Sequence, residues 1–332
     1  MKKFLWTGLI FSLMSSLPLM AQTIKNKVGT AGFQFLKLGV GGRDVALGGA
    51  TTATAEGPTA LYWNPAGICA DDKLSATFFY NAWIATIHHN FIGFKTPLSS
   101  NDFIGASVNF ITMDDMEETT IEQPQGTGRR FSAYDFAVAL SYGRRITDRF
   151  SAALSVKYIN ERIWDLVADG WAFDVGFIYR FYKLRLGMSF NNFGTEKEIS
   201  GTQLQLDYQI FPDYKTDEVL LERVAHKIRL PINFRFGAGY ELLKLDDHKL
   251  VMMGNIVYFN DIGETGNTGV EYTFMENYAL RGGYQFNREG FDWSFGGGVR
   301  FYLGRVSLFI DYAAVSTNDF GFRHQTGVIF SF

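Results

Sequence analysis

The feature of this sequence that most restricts its fold is an alternation of apolar and polar residues, which begins near residue 74 and continues to the C-terminus. Leu184 and Leu186, for example, alternate with Arg185 and the glycine that follows. A period of two places alternate side chains on opposite faces of a β-strand. We therefore predict an all-β chain. Its fourteen strands are expected at residues 74–82, 89–97, 103–112, 131–143, 149–162, 171–181, 183–193, 231–241, 249–260, 267–275, 278–287, 291–303, 305–314 and 323–332.

The connections between these strands favour a transmembrane barrel over a soluble sandwich, which would show the same alternation. Outer-membrane barrels alternate short periplasmic turns with longer outer loops, and both of their termini lie in the periplasm. A closed barrel also leaves no apolar strand with an unpaired edge. Every second connection here is short, at residues 98–102, 144–148, 182, 242–248, 276–277 and 304. The connections between them include long ones at 113–130 and 194–230 and medium ones at 163–170 and 315–322.

Composition and charge agree with a lipid-facing wall. Aromatic residues make up 16% of the chain and glycine contributes 35 residues, a mixture that suits strands in a curved sheet. An Arg or Lys that faced lipid at mid-depth would cost about 2–4 kcal/mol, so charged strand residues are expected to face the lumen. There they would form structural ion pairs or, alternatively, line a substrate path. These residues are Lys157, Asp174, Arg180, Arg185, Arg235, Arg281, Arg300 and Asp311.

Residues 1–21 have the organisation of a cleavable signal peptide. Lys2 and Lys3 precede an apolar stretch at residues 4–20, and Ala21 forms a small-residue cleavage site before a polar residue. A single membrane-spanning helix is the alternative, but the stretch is short and lacks a basic stop-transfer flank. Export is therefore expected, with the outer membrane of a Gram-negative bacterium as the destination and its lipid as the surroundings of the barrel.

The last strand ends on two aromatic residues with a single residue between them. This ending is similar to the terminal signal that the barrel-assembly machinery reads when it inserts outer-membrane proteins. Gly327, Phe330 and Phe332 are the residues of this candidate barrel-insertion signal.

No pattern indicates a catalytic, metal or cofactor site, and a formal charge of −3 argues against nucleic acid as a partner. Cys69 is the only cysteine, so it cannot close a disulfide within the chain and is expected to be a small packed residue. The acidic run at residues 114–118 is expected to be solvated, with a bridging divalent cation as the alternative. The histidines are expected to be solvated residues of loops, turns or the start of the last strand: His88, His89, His226, His248 and His324.

Residues 22–73 do not alternate and form a separate N-terminal segment before the barrel at 74–332. This segment contains the glycine-rich stretch FLKLGVGGRDVALGGA, a polar spacer and the motif ALYWNPAG. Asn64 and Pro65, with Gly67 at the fourth position, match a type I turn. The paired glycines are not followed by the Gly-Lys-Ser/Thr of a phosphate-binding loop.

Over residues 31–68 the sequence resembles the PorV/PorQ family, which is related to the FadL-type fatty-acid transporters. The resemblance implies a fourteen-stranded barrel with an N-terminal segment folded partly into the lumen as a hatch. It also implies a role in type IX secretion, which exports proteins that bear a conserved C-terminal domain. The hatch would use Phe33, Phe35, Leu36 and Leu38, with Asn64, Pro65 and Gly67 as its structural turn.

Three functions from different classes are compatible with these features. The preferred hypothesis is a non-enzymatic barrel that binds a protein partner, either the secretion translocon or its cargo. The alternative is a FadL-like channel for a hydrophobic small molecule, which would need an apolar pocket beside the hatch. An outer-membrane enzyme is disfavoured because the sequence has no nucleophile and base at a recognisable spacing.

Overall fold

The computed structural model describes residues 31–208, 219–222, 227–288, 290, 292–317 and 320–332. The predicted signal peptide and residues 22–30 of the predicted hatch segment lie outside these described residues. No helix in the described part of the chain is long and apolar enough to cross a membrane.

Fourteen antiparallel strands form a closed barrel, which confirms the predicted fold class. All fourteen predicted strands are present, and their observed bounds differ from the predicted ones by a few residues. The strands are β1 (Ser75–Ala82), β2 (His88–Pro97), β3 (Asp102–Thr112), β4 (Ala133–Thr147), β5 (Phe150–Ile163), β6 (Leu166–Phe181), β7 (Leu184–Gly194), β8 (Asn233–Leu245), β9 (His248–Phe259), β10 (Gly263–Phe274), β11 (Tyr278–Phe286), β12 (Trp293–Leu303), β13 (Val306–Thr317) and β14 (Gly321–Ser331).

The barrel closes between its first and last strands. Strand β1 pairs with β14, from Ser75 opposite Ser331 to Asn81 opposite Gln325. We call the end of the barrel at which β1 starts and β14 ends the inner end, and the opposite end the outer end. In the outer-membrane barrel expected from the sequence, short turns and termini lie on the periplasmic side, so the inner end is expected to be periplasmic.

The two longest connections lie at the outer end and carry small elements of their own. In the first, Met116–Glu117 pairs with Arg130–Phe131. In the second, a 3-10 helix at Thr202–Leu204 precedes a ribbon in which Gln205–Tyr208 pairs with Val219–Glu222.

Two connections that we predicted to be of medium length are shorter in the structure. The loop predicted at residues 163–170 is a two-residue turn, because β5 and β6 pair as far as Ile163 opposite Leu166. The loop predicted at residues 315–322 is also short, because β13 continues to Thr317. In both cases the hydrogen-bonded ladder extends past the point where the apolar–polar alternation stops, so the sequence pattern marks the end of the strand too early.

The wall of the barrel has an apolar outer face and a polar inner face. Adjacent residues of β4 show the contrast, since Ala139 is 3% exposed and Leu140 is 66% exposed. The charged strand residues predicted to face the lumen do so: Lys157, Asp174, Arg235, Arg281 and Asp311 are buried, and Arg180, Arg185 and Arg300 are partly buried.

The N-terminal segment, described from residue 31 to residue 73, lies within the barrel and contacts inward-facing residues on several sides. The helix α1 (Gly42–Ala46) contacts β11, β12, β13 and β14, and the last 3-10 helix of the segment, Pro65–Cys69, contacts β3, β4, β5 and β6. The segment is almost entirely buried. Its elements are a 3-10 helix at Gln34–Lys37, α1 (Gly42–Ala46), α2 (Ala60–Trp63) and a second 3-10 helix at Pro65–Cys69.

The prediction that the histidines are solvated is wrong for His89. This residue is fully buried in the lumen, and its Nε2 atom lies 2.7 Å from Asn109 Oδ1. Because β2 already starts at His88, the alternation of the strand turns the next residue inward. His248 and His324 also lie in strands, each beside a tyrosine hydroxyl, and His226 lies outside the described residues.

Candidate functional site: the lumen and its N-terminal segment

The N-terminal segment is attached to the wall at the outer end of the lumen. Phe33, Phe35 and Leu36 pack into one buried cluster with Ile159 of the wall. The Phe33 backbone N–H donates to Glu161 Oε2 (2.7 Å), and Phe33 itself has a left-handed backbone conformation with φ of 55°. Such a conformation is costly for an aromatic residue and persists only where the surroundings hold it.

A second attachment at the outer end is ionic. Lys37 forms a buried ion pair with Asp261, in the connection between β9 and β10. Arg288 donates from Nη2 to the Lys37 carbonyl oxygen (3.0 Å). The neighbouring Leu38 is partly buried. The first helical turn of the segment is therefore held to the wall by charge as well as by apolar packing.

Aromatic residues of α2 occupy the middle of the lumen. The Trp63 indole donates from Nε1 to the Val40 carbonyl oxygen (2.8 Å), and the Tyr62 hydroxyl donates to the Leu36 carbonyl oxygen (3.0 Å). The guanidinium of Arg235, on β8, lies 4.9 Å from the Trp63 ring and 5.4 Å from the Tyr62 ring. Cation–π contact thus stabilises a buried charge on the wall against the segment.

A buried ion network joins the segment to the wall near the inner end. Arg43 donates to Glu271 of β10 in a bidentate arrangement, with Nε–Oε2 of 2.9 Å and Nη2–Oε1 of 3.0 Å. Glu271 also accepts from Arg281 Nε (2.7 Å), and Arg281 forms an ion pair with Asp311. Buried charges need such multiple partners, because the desolvation cost of each is several kcal/mol.

Asp44, next to Arg43 on α1, is fully buried. Its Oδ2 accepts from the Thr59 hydroxyl (2.8 Å), and its Oδ1 lies 3.8 Å from Arg43 Nη1. Burial raises the pKa of the Asp44 carboxyl, although Arg43 and Thr59 act in the opposite direction.

The Asn-Pro-Ala-Gly motif forms a turn that packs against β6. The Gly67 N–H donates to the Asn64 carbonyl oxygen (2.9 Å), and Pro65 begins the 3-10 helix. The Asn64 side chain accepts from the Ala66 N–H (3.2 Å) and donates to the Phe177 carbonyl oxygen (3.1 Å). The buried amide therefore stabilises both the turn and its contact with the wall.

Glycines allow this close approach. A Cβ atom on Gly176 of β6 would lie 2.2 Å from Asn64 Oδ1, and one on Gly67 would lie 2.4 Å from the Ala55 carbonyl oxygen. Real Cβ atoms do not approach other atoms this closely, so any other residue at either position would require the neighbouring atoms to shift.

Two cavities beside the described part of the segment differ in their lining. The outer cavity, of about 410 Å³, is lined mainly by apolar residues such as Phe33, Phe35 and Trp83, and by the carboxylates of Asp135 and Glu161. The inner cavity, of about 340 Å³, is polar and includes the Arg43–Glu271–Arg281–Asp311 network. Because one lining is mainly apolar and the other mainly charged, the two cavities suit different classes of ligand.

The structure brings the sequence-predicted residues into two groups. Phe33, Phe35, Leu36 and Leu38 lie together at the outer end, and Asn64, Pro65 and Gly67 lie together against β6. Gly327, Phe330 and Phe332 are separate from both, on the last strand and its end, where the two phenylalanines are exposed on the outer face.

Sequence reasoning missed several residues of the lumen. Arg43 and Glu271 were not paired, although Glu271 occupies an inward position of an alternating strand. Asp135 and Glu161 were also not singled out, although they face each other across β4 and β5. The signal available in the sequence was the position of each charged residue in the inward–outward alternation of its strand, and we used this signal for eight residues only.

The closed barrel of fourteen antiparallel strands is similar in fold to solved outer-membrane channels and transporters. Similar solved structures include the CymD monoaromatic hydrocarbon channel (TM-score 0.54, 12% identity, 88% of this chain and 96% of that chain). The toluene transporter TodX of Pseudomonas putida is also similar (TM-score 0.54, 11% identity, 87% and 96%). So is a FadL homologue of Pseudomonas aeruginosa (TM-score 0.50, 11% identity, 89% and 97%). At these identities the likeness shows the fold alone.

The family is shown by a separate match. The family described as "Type IX secretion system protein PorV" matches residues 21–257, and the chain belongs to this family. A search of curated proteins found no match. Family and fold together place the protein in the outer membrane as a multi-pass β-barrel.

Proposed function

We propose that this protein is a non-enzymatic barrel that binds a partner protein in type IX secretion or surface attachment, either the translocon or its cargo. The observation that supports the proposal is the family match over residues 21–257. The lumen is occupied by a segment with buried ion pairs at both ends, which favours recognition by the outer loops over passage of a protein through the lumen.

In this proposal the signal peptide is residues 1–21 and the hatch is residues 22–73. Phe33, Phe35, Leu36 and Leu38 hold the outer end of the hatch, and the Asn64–Gly67 turn holds it to β6. Gly327, Phe330 and Phe332 act as the barrel-insertion signal. The hatch is a fixed support that keeps the outer rim in one shape for a partner, because packed interiors have low compressibility.

A clean deletion tests this function. We expect cargo with the conserved C-terminal domain to accumulate in the periplasm, and the wild-type gene to restore export. Replacing residues 114–131, in the outer connection between β3 and β4, by a short Gly-Ser turn should prevent restoration while the barrel still reaches the outer membrane. As a control, Asp246→Asn changes the inner-end turn between β8 and β9 without shortening a loop. The Asp246→Asn gene should restore export. Normal export in the deletion strain would contradict the proposal.

The second candidate is a FadL-like channel for a hydrophobic small molecule, and the apolar lining of the outer cavity favours it. The solved neighbours include a monoaromatic hydrocarbon channel and a toluene transporter. Impaired uptake of an aromatic hydrocarbon in the deletion strain, with cargo export intact, would favour this candidate over the first.

A further inference from the structure

Two carboxylates face each other in the wall of the outer cavity. Asp135 of β4 lies directly opposite Glu161 of β5 in the strand register, and both line the cavity. Like charges directly opposite on neighbouring strands destabilise a sheet, and partial burial increases their repulsion. The repulsion within a pair of this kind is relieved either by a shared proton or by a cation bound nearby.

The described part of the chain does not supply that cation. None of its ion pairs includes either carboxylate. Arg162, the nearest arginine along β5, donates instead to the Trp164 carbonyl oxygen (2.8 Å) and to the Tyr134 hydroxyl (3.3 Å). Lys157 forms its ion pair with Asp174. Neither carboxylate therefore has a cationic side-chain partner within the described residues.

The rest of the cavity is suited to an organic cation. A calcium ion takes six to eight oxygen ligands, as a rough rule, whereas only two carboxylates are present and most of the lining is apolar. Aromatic rings bind organic cations through their faces. The volume of about 410 Å³ lies within the range of small-molecule pockets. The apolar and aromatic lining includes Phe33, Phe35, Leu38, Trp83, Ile87 and Ile111.

We propose that the outer cavity is a binding site for a small organic cation, namely an amine carried on an aromatic or branched aliphatic body. The ammonium group binds between Asp135 and Glu161, where it neutralises their repulsion. The apolar body lies against the phenylalanines of the N-terminal segment and Trp83. The inference does not depend on the proposed secretion function, because it rests on the cavity and its charges alone.

Calorimetry on the purified mature chain in lipid nanodiscs tests the site with phenethylamine as the probe. Phenethyl alcohol, a neutral molecule of nearly the same shape, is the matched ligand control. We expect saturable binding of the amine and about tenfold or greater weakening for the alcohol, which is the effect of losing one charge-assisted contact. Equal affinity for the two molecules would identify a plain apolar pocket and overturn the proposal, as would the absence of saturable amine binding.

The carboxylates are tested by the double variant Asp135→Asn/Glu161→Gln, which should reduce the affinity for the amine by about tenfold or more. The matched control, Asp114→Asn/Glu122→Gln, removes the same charge from exposed positions of an outer loop and should leave the affinity unchanged. An equal loss in both variants would indicate general attraction to the outer surface. Unchanged binding in the first variant would exclude the carboxylates.

Two further measurements do not depend on amine binding by the carboxylate variants: the unfolding temperature without ligand, and a comparison with a lysine variant and with Ca²⁺. Without ligand, the single variant Asp135→Asn should raise the unfolding temperature, because it removes the repulsion and leaves the hydrogen bond from the Phe33 N–H to Glu161 in place; a lower temperature would contradict repulsion between the two carboxylates. Lys25 and Lys27 precede the described residues in the sequence. If the amine binds only to Lys25→Gln/Lys27→Gln protein, or if Ca²⁺ stabilises wild type as well as the amine does, the cation is not an external amine.

Discussion

The ion network between α1 and β10 leads to the sharpest prediction about stability. Replacing Arg43 by Met retains much of the side-chain volume but leaves Glu271 and Asp311 to share Arg281, and it removes the cation nearest to Asp44. Breaking a buried ion pair from one side costs about 3–5 kcal/mol. We expect Arg43→Met to lower the free energy of unfolding by that amount.

Replacing Glu271, the partner of Arg43, should lower the free energy of unfolding by less. In Glu271→Gln the Arg43 guanidinium still has Asp44 at 3.8 Å and Glu56 at 3.9 Å, so only the charged hydrogen bonds are lost. Such bonds contribute about 1.5–3 kcal/mol. Because each single change removes the same contact, the double variant should lose about 2 kcal/mol less than the sum of the two.

The assay is urea unfolding in lipid vesicles, followed by tryptophan fluorescence and by the mobility of unheated samples on gels. The control is the same cycle on Glu198 and Lys227, an ion pair of 3.1 Å whose side chains are 66% and 61% exposed. Exposed pairs couple by about 0–1 kcal/mol. Additive costs for Arg43 and Glu271, or a cost for Arg43→Met no larger than that of the exposed pair, would refute the reasoning.

Three other experiments test single residues of the account. Gly176→Ala should destabilise the barrel by about 1–3 kcal/mol through the clash with Asn64, whereas Gly282→Ala, with nothing within 4 Å of its Cβ, should have little effect in the same unfolding assay. Cys69 should resist maleimide until urea unfolds the protein, because burial raises the pKa of its thiol to about 11; rapid labelling of the folded barrel would contradict this. Asp44→Asn should stabilise the protein relative to wild type by an amount that grows as the pH rises from about 3.9, the pKa of an unfolded Asp, to the higher pKa of folded Asp44. Because the pKa of Asp44 is raised, the folded state binds the Asp44 proton more tightly than the unfolded state does, and the free energy of unfolding of the wild type falls as the pH rises. A stability difference between variant and wild type that shrinks with rising pH would contradict this.

The strands could be predicted from the sequence because one physical requirement repeats along the chain. An apolar outer face and a polar inner face impose the alternation seen at Ala139 and Leu140. The same requirement placed Lys157 and Asp174 in the lumen, where they pair. Strand ends were less predictable, since the β5–β6 hairpin continues where lipid no longer constrains its residues.

The N-terminal segment could not be predicted by the same reasoning. Its residues follow no period, and its position is determined by contacts with distant strands, such as Arg43 with Glu271, 228 residues later. Neither the partner nor the geometry follows from local sequence, because both depend on which face of each strand meets the segment. The glycines that admit the segment, such as Gly176, are equally consistent with simple curvature of the wall until the structure shows what lies against them.

The central claim is that residues 31–73 lie inside the closed barrel, and the single native cysteine allows a direct test. A Cβ atom on Gly143 of β4 would lie 2.8 Å from Cys69 Sγ, a separation that suits a disulfide. Gly143→Cys protein exported to the oxidising periplasm should therefore contain a disulfide to Cys69, detected by mass spectrometry of the folded barrel, whereas Gly282→Cys should not. Free thiols at both positions in correctly inserted Gly143→Cys protein would contradict the placement of the segment.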